Sequence, residues 1–277
     1  MTQPLPMTWG RRIALAIGAP LALAFFGWNA FTAVAYAGQG SYLVNLSIPV
    51  HGRTATLAVD SGDVRLRPGN PGWLTVTGTA RYALFRSTNS SRQTAAGPVV
   101  ASRCHQVTGP CSFDYTVTLP AGLAVRASDG SGDLSVQRLA GPLVLSTGSG
   151  NVTISSVSGD VQAASGSGDV TGSGLAGTQL MAADGSGNIA LTGLASQIVT
   201  ITNGSGDVTL IFREVPGTVR VNDQSGNVKL VMPPGSTAYH VTASTGSGQQ
   251  TVRVPQDTAS PHVITVTDGS GNISITR

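Results

Sequence analysis

The chain has 277 residues, enough to bury a sizeable core as one large β domain or two small ones. Only 10% of the residues are charged, yet the regular alternation of Val, Leu and Ile excludes a disordered chain, which lacks the apolar surface to offset ordering entropy. The formal net charge is +3, and two of these charges are Arg11 and Arg12, so no basic surface argues for nucleic-acid binding.

The first predicted element is a membrane-spanning helix over residues 13–37, which contain no Asp, Glu, Lys or Arg. As a helix this segment would be about 37 Å long, against a hydrocarbon core of about 30 Å. Arg11 and Arg12 precede it, so the positive-inside rule places a tail of residues 1–12 in the cytoplasm and exports the rest. We therefore expect a single-pass anchor in the cell membrane with an extracellular C-terminal domain.

A cleaved signal peptide is the competing interpretation of the same segment. Ala35-Tyr36-Ala37 has the small-x-small form of a cleavage site. The apolar stretch is, however, longer than the roughly 7 to 15 residues of a typical signal sequence, which favours a retained anchor. Both interpretations place the remaining chain outside the cytoplasm.

Residues 38–122 are predicted to form an N-terminal β cap region, because a stack of strands needs its open end covered. Within it, Ala55 to Thr79 resembles a further pair of coils around Ser61-Gly62-Asp63-Val64. Arg86 to Pro110 is predicted as a polar loop, and Ser112 to Pro120 as a strand of alternating apolar residues.

The two cysteines, Cys104 and Cys111, lie in this cap region and are separated by a turn-forming Gly109-Pro110. In an oxidising compartment they are expected to form a disulfide, worth about 2 to 3 kcal/mol for so short a loop. The alternatives are two reduced thiols or a two-ligand metal site, for which nothing nearby supplies the remaining ligands.

A repeat fills residues 123–277, where Ser-Gly-Asp/Asn is followed by an apolar residue in copy after copy. Successive copies are 18, 18, 19, 19, 20, 22 and 23 residues apart, and a looser turn such as Val157-Ser158-Gly159 lies midway. Each repeat is thus two short strands and two turns, which predicts an all-β solenoid of about eight stacked coils. The turn serines are Ser131, Ser149, Ser167, Ser186, Ser205, Ser225, the degenerate Ser247 and Ser270.

Stacking would align two polar columns beside these turns, which we interpret as structural hydrogen-bond ladders. In the first, alternating Asn would offer amide donors to the Asp above and below. The second is expected never to place two Asp on adjacent rungs. The first column is Asp133, Asn151, Asp169, Asn188, Asp207, Asn227, Gln249 and Asn272, and the second is Asp129, Thr147, Ser165, Asp184, Asn203, Asp223, Thr245 and Asp268.

The segment from Val117 to Gly122 and the Gly-Ser-Gly-Asp/Asn-Val turns resemble the bacterial putative-adhesin family of β-strand-repeat proteins. The resemblance covers about residues 40–277. It implies a short cytoplasmic tail and one membrane segment before an exported repeat. It supplies no catalytic residues and no defined role.

No catalytic, cofactor or metal residue is predicted. Calcium binding by the turn acids stays open, although the Gly-Gly-x-Gly-x-Asp consensus is absent and about half of the acids are replaced by Asn. A polysaccharide-cleaving enzyme would need converging carboxylates, and Glu214 has no evident acidic partner. The recurring Gly-Ser-Gly turns argue against a nucleophile, which would occur once. The four histidines are scattered along the chain, at His51, His105, His240 and His262.

The leading hypothesis is a non-enzymatic, membrane-anchored scaffold whose face of Ser, Thr, Gln and Asn contacts a protein or glycan partner on a surface. The alternative is an envelope regulatory or stress-response accessory that acts through residues 1–37 or the cysteine loop. A polysaccharide-active β-helix enzyme is the third hypothesis.

Overall fold

The computed structural model describes residues 9–105 and 109–277. It begins with helix α1 (Trp9–Ala37), which contains Pro20 and covers the predicted anchor. Within the described residues, this is the one helix long and apolar enough to cross a membrane, over Ala16–Ala37. Residues 1–8 of the expected tail lie outside the described part of the chain.

Twenty-three strands follow the helix in the described residues. In chain order they are β1 (Gly40–Pro49), β2 (Thr54–Val59), β3 (Val64–Pro68), β4 (Trp73–Tyr82), β5 (Thr88–Gln93), β6 (Pro98–Arg103), β7 (Ser112–Leu119), β8 (Ala124–Ser131), β9 (Leu134–Gln137), β10 (Leu143–Ser149), β11 (Val152–Val157), β12 (Val161–Ser167), β13 (Val170–Leu175), β14 (Gln179–Asp184), β15 (Ile189–Leu194), β16 (Ile198–Asn203), β17 (Val208–Phe212), β18 (Thr218–Asp223), β19 (Val228–Val231), β20 (His240–Thr245), β21 (Gln250–Val252), β22 (Val263–Asp268) and β23 (Ile273–Thr276).

The strands form two sheets, which confirms the predicted β-solenoid. Sheet A has the order β1-β4-β7-β3-β9-β11-β13-β15-β17-β19-β23-β21, and sheet B the order β20-β22-β18-β16-β14-β12-β10-β8-β2-β6-β5. From β8 onward each coil gives one strand to each sheet, and neighbouring coils pair in parallel. Equivalent apolar residues therefore stack, as Val152, Val170 and Ile189 do in sheet A. The inward side chains of both sheets form one core between them.

At the C-terminal end the coils do not stack in chain order. The last coil, β22 and β23, pairs with β18 and β19 on one side and with β20 and β21 on the other. The reason is visible in the degenerate repeat: Gln250 is exposed where its neighbour Ile273 is buried. An inner position would bury that amide, so the degenerate coil takes the outside place.

The N-terminal end shows the same inversion. The coil of β2 and β3 pairs directly with β8 and β9, while β6 and β7 stack outside it. Two coils of the stack thus come from residues 38–122. The expected polar loop from Arg86 to Pro110 is wrong over much of its length, because β5 and β6 pair there as an antiparallel hairpin. Its polar residues suit an edge strand that must resist further pairing.

A polar network lies beneath this cap. The Tyr115 hydroxyl contacts the side chains of Asn89 and Ser102, and the Asn89 amide donates to the Tyr42 hydroxyl at 2.9 Å. The Tyr42 hydroxyl in turn donates to the carbonyl of Ser87 at 2.9 Å. Burial raises the pKa of Tyr115 to about 12, so it stays a neutral donor. The network joins strands of both sheets where the core would otherwise open.

Candidate binding face and turn columns

The outer side of sheet A carries a row of mostly small, hydroxyl-bearing side chains, which we call the hydroxyl face. Strand pairing places one residue per strand in this row, and eight of the eleven from β4 to β21 are Thr or Ser. The row is Thr77, Thr116, Arg65, Ser135, Thr153, Thr171, Ala190, Thr209, Lys229, Ser274 and Thr251.

The row repeats at the strand spacing of about 4.8 Å, so its hydroxyls and methyls form a regular one-dimensional array. Neighbouring hydroxyls are close enough to bond each other, as Thr153 and Thr171 do at 3.2 Å. Its two charges are separated along the stack, and Arg65 forms an ion pair with Asp63 at 3.3 Å. Such a surface can accept and donate hydrogen bonds over a long line without strong electrostatic attraction.

The first predicted column runs along one edge of the stack as a solvent-exposed ladder. The backbone N–H of Asn188 donates to Asp169 Oδ1 at 2.8 Å, and its side-chain amide donates to the same oxygen at 3.1 Å. The next rung, Asp207, donates its backbone N–H to Asn188 Oδ1 at 2.9 Å. Each Asn amide therefore serves the preceding rung alone, not the rungs above and below as expected, because its oxygen faces the next backbone N–H.

The exposed ladder is reordered at its C-terminal end and extends beyond the predicted positions at the cap. At the C-terminal end its order is Asn227, Asn272, Gln249, following the exchanged coils. At the cap it continues from Asp133 to Asp63 and Asp114. These three acids occupy adjacent rungs without an intervening Asn.

Arginines compensate for the adjacent acids at the cap. Arg81 pairs with Asp114 at 3.0 Å, and Arg65 pairs with Asp63 as described above. These partners neutralise the outer carboxylate oxygens while the inner oxygens accept backbone N–H groups. The cap thus replaces the amide of Asn by an arginine, which lies on the neighbouring strand for Asp114 and two residues along the chain for Asp63.

The second column is buried, which distinguishes it from the exposed ladder. Asp129, Asp184, Asp223 and Asp268 are each at most 5% exposed. Asp223 and Asp268 lie on adjacent rungs, because β22 pairs with β18. The expectation that this column separates its acids is therefore wrong, and the cause is the exchanged order of the last two coils.

Buried carboxyl oxygens in this column lack partners among the described residues. Asp129 and Asp268 each accept one backbone N–H through Oδ1, but their Oδ2 atoms have none. Neither oxygen of Asp184 or Asp223 is hydrogen-bonded, although nearby backbone N–H groups are close enough to lower the pKa somewhat. An ionised carboxylate is unfavourable in such surroundings.

Burial is accordingly the main cause of raised pKa values along the column. It raises the pKa of Asp129 to about 6, helped by the charges of Asp63 and Asp133. The pKa of Asp184 and that of Asp268 are also raised by burial. For Asp223, burial acts first and the neighbouring Asp268 raises the pKa further. Each of these groups therefore keeps its proton to a higher pH than an ordinary aspartic acid does.

Residues of other types at the same position of the repeat show which hydrogen bonds a protonated Asp could donate. The hydroxyls of Thr147, Ser165 and Thr245 each donate to the turn-glycine carbonyl of a neighbouring coil, at 3.1, 2.9 and 3.0 Å. Asn203 donates its amide to the carbonyl of Gly206 at 2.8 Å. All of these are donors, and only a protonated Asp shares that property.

The predicted cysteine pair is joined in the structure as a disulfide between Cys104 and Cys111, with Cα atoms 6.0 Å apart. Residues 106–108 of the enclosed loop lie outside the described residues. Within the same loop, Gly109 lies beside Ala83 and close to Ala35, a buried residue near the end of α1. The disulfide loop thus contacts the base of the predicted anchor.

The acids do not assemble into a reactive centre in the part of the chain that the structure describes. No group of three or more His, Cys, Asp or Glu side chains could hold a metal ion there. The one adjacent carboxyl pair of the buried column, Asp223 and Asp268, is closed to a substrate. The exposed turn acids Asp133, Asp169 and Asp207 each accept a backbone N–H group of the next rung.

Two stacked sheets, glycine turns at fixed spacing and ladders along the turns define a protein of the repetitive β-solenoid class. Residues 112–277 match the Toastrack DUF4097 family, and the chain belongs to it. The resemblance to a family of β-strand-repeat proteins is therefore confirmed. No curated protein matches the chain.

Three crystal structures are similar to the chain at low sequence identity. A putative adhesin from Parabacteroides distasonis is 12% identical, with a TM-score of 0.49, 84% of this chain and 97% of that chain covered. A putative adhesin from Bacteroides fragilis is 15% identical, with a TM-score of 0.48 and coverage of 85% and 97%. A putative cell adhesion protein from Clostridium sporogenes is 11% identical, with a TM-score of 0.35 and coverage of 86% and 99%.

Proposed function

We propose that the protein is a non-enzymatic, membrane-anchored scaffold whose hydroxyl face binds a neutral, hydroxyl-bearing polymer on a surface. The observation that carries this proposal is the row of Thr and Ser along sheet A, from Thr77 to Thr251. A repeating array of weak hydrogen bonds gains strength by number, which suits a partner that is itself repetitive. The partner would lie flat along the stack.

The face is tested with the full chain in neutral nanodiscs, added to insoluble neutral polysaccharide and to intact bacterial and host cells. Thr171→Arg places a long charged side chain in the middle of the row and is expected to reduce saturable binding by roughly tenfold. Thr202→Arg is the matched control, because Thr202 is exposed on the outer side of sheet B. Equal loss in both variants, or no binding by the parent protein, would reject the hydroxyl face as the binding surface.

The anchor places residues 1–12 in the cytoplasm and the solenoid outside the cell. Its support is the apolar span Ala16–Ala37 after Arg11 and Arg12. Protease added to intact cells is expected to reach the C-terminal domain, and the mature chain is expected to keep its N-terminus. A mature protein beginning at Gly38 would instead identify the segment as a signal peptide.

A second candidate, an envelope regulatory accessory, is favoured by one contact. Ala35 of α1 is fully buried near Ala83 and Gly109, so the end of α1 packs against the disulfide loop. Replacing residues 13–37 by an unrelated membrane helix separates the two functions. Adhesion should survive this exchange, whereas a regulator that recognises a membrane partner should lose its activity.

A further inference from the structure

A groove of about 450 Å³ lies on the outer side of the β5–β6 hairpin, at the cap end of sheet B. Its lining includes Arg92, Arg103 and His105, together with the hydroxyl residues Thr88 and Ser90. Among the described residues, no acidic side chain lines it. This concentration of basic groups is not explained by the scaffold role.

Antiparallel pairing shapes the groove. Thr88 lies opposite Arg103, Ser90 opposite Ala101, and Arg92 opposite Val99. The central pair has small side chains, while a long guanidinium side chain stands at each of two diagonal corners. The two arginines therefore flank a depression and can both reach a group bound in it.

The two guanidinium groups are free to bind a ligand. Within the described residues, the ion pairs join Arg65 to Asp63, Arg81 to Asp114 and Arg213 to Glu214, and neither Arg92 nor Arg103 takes part. Both are exposed.

The surroundings offer little acid to neutralise these arginines. Residues 38–122 contain seven Arg against three Asp, whereas residues 123–277 contain seven basic and ten acidic residues. Two of the three Asp form the ion pairs above, and the third, Asp60, accepts the N–H of Cys104 at 3.0 Å. The cap is thus the basic end of the molecule.

His105 and Thr88 complete one side of the groove. The Nε2 atom of His105 lies 2.8 Å from the Thr88 hydroxyl. When this nitrogen carries a proton it donates to Thr88, which leaves the threonine hydrogen free to point at a bound anion. On the other side, the Ser90 hydroxyl is committed to the carbonyl of Ala101 at 3.3 Å.

We propose that this groove binds a phosphate-type oxyanion, held by Arg92 and Arg103 and by the Thr88 hydroxyl. Planar guanidinium groups bind such oxyanions through paired N–H donors, and two of them around a small-residue floor fit one phosphate group. The ligand is either the phosphate of a lipid headgroup or a soluble phosphate. The site is separate from the hydroxyl face, which lies on the other sheet.

The test uses the full chain in three settings: neutral detergent micelles with inorganic phosphate, phosphatidylcholine nanodiscs, and nanodiscs with added phosphatidylglycerol. Binding is followed by hydrogen exchange of residues 88–103, with chloride at equal ionic strength as the reference. Protection by inorganic phosphate identifies a soluble ligand, and protection only in the anionic nanodiscs identifies a headgroup. Either result supports the groove, and protection in neither overturns it.

Variants assign the binding to the two arginines. Arg92→Gln with Arg103→Gln is expected to weaken the anion-dependent protection by roughly tenfold or more. Arg126→Gln with Arg220→Gln makes the same charge change elsewhere on the outer side of sheet B and is expected to leave it unchanged. Equal weakening in both pairs would overturn the site and leave only a general charge effect. Thr171→Arg should keep the anion response, so this proposal and the hydroxyl face fail separately.

Discussion

The exposed ladder and the buried column use nearly the same residues beside the same turns, yet their electrostatics are opposite. In the ladder, Asp169 Oδ1 accepts two N–H groups from the next rung and its side chain is partly exposed to water. In the column, Asp223 is 1% exposed and adjacent to a second buried acid, Asp268. Four positions along the chain therefore replace a stabilising anion by a group whose pKa is raised by burial.

The largest loss of stability is expected at a turn glycine that lies between the exposed ladder and the buried column. Gly150 has φ of 150°, and a Cβ there would collide with the carbonyl oxygen of Gly132. We expect Gly150→Ala to lower the free energy of unfolding by about 3 kcal/mol or more, because both backbone strain and a steric clash are introduced. The measurement is urea unfolding of the full chain in detergent, followed by far-UV circular dichroism.

Two other glycines provide controls for this variant. Gly235 has φ of 146° but nothing within 4 Å of the position that a Cβ would take, so Gly235→Ala should show the strain alone. Gly122 has neither feature, and Gly122→Ala should change stability by less than about 0.5 kcal/mol. If all three variants lost the same amount of stability, close stacking of the turns would not be the cause of the loss in Gly150→Ala.

The next largest effect is the pH dependence of stability. Raised pKa values mean that the folded protein binds more protons than the unfolded chain, so the column stabilises the fold at acidic pH. For Asp129, with a pKa of about 6, this contribution is complete near pH 4 and is lost as pH rises through about 6. Its size is about 3 kcal/mol at most. Urea midpoints that rise from pH 4 to pH 7 would contradict a protonated column.

Asp223→Asn tests the effect of one buried acid of the column on stability. The substitution removes a buried acid beside Asp268 and supplies an amide donor, as Asn203 does naturally. We expect stability at pH 7.5 to increase by about 1 to 2 kcal/mol, and the gain to shrink toward pH 4 as Asp223, whose pKa is raised by burial, takes up a proton. A loss of stability at both pH values would show that the carboxyl of Asp223 is needed for packing.

The smallest effect concerns the exposed ladder. Asn188→Asp places a third acid between Asp169 and Asp207 and removes the side-chain donor to Asp169. We expect a loss of about 1 kcal/mol that shrinks at high salt. Gln249→Glu is the control, because its neighbour on the stack is Asn272. A salt-independent loss would assign the effect to the missing hydrogen bond rather than to charge.

The periodic part of the fold could be predicted because each coil repeats the same alternation and the same turn. The stacking order at the ends could not be, since a period does not state which coils are neighbours. A local signal existed at one end: Gln250 replaces the apolar residue found after the other turns. Strand β5 was hidden because a polar edge strand has the composition of a loop.

The sites were less accessible to sequence reasoning than the scaffold. Both columns were found by spacing, but spacing does not distinguish an exposed position from a buried one, so the raised pKa values of the buried acids were missed. Arg92 and Arg103 line the same groove only because β5 and β6 form a hairpin. The Thr and Ser positions were predicted as a polar face, while their alignment into a row follows from the strand register.

The exchanged coils at the C-terminal end affect how the protein responds to mechanical force. The final strand, β23, is hydrogen-bonded to β19 on one edge and to β21 on the other. A pull on the last residues therefore loads two rows of backbone hydrogen bonds together, where a terminal coil in simple order would peel from one. The exchanged order of two coils therefore makes β23 harder to detach by force than the last strand of a stack in simple order.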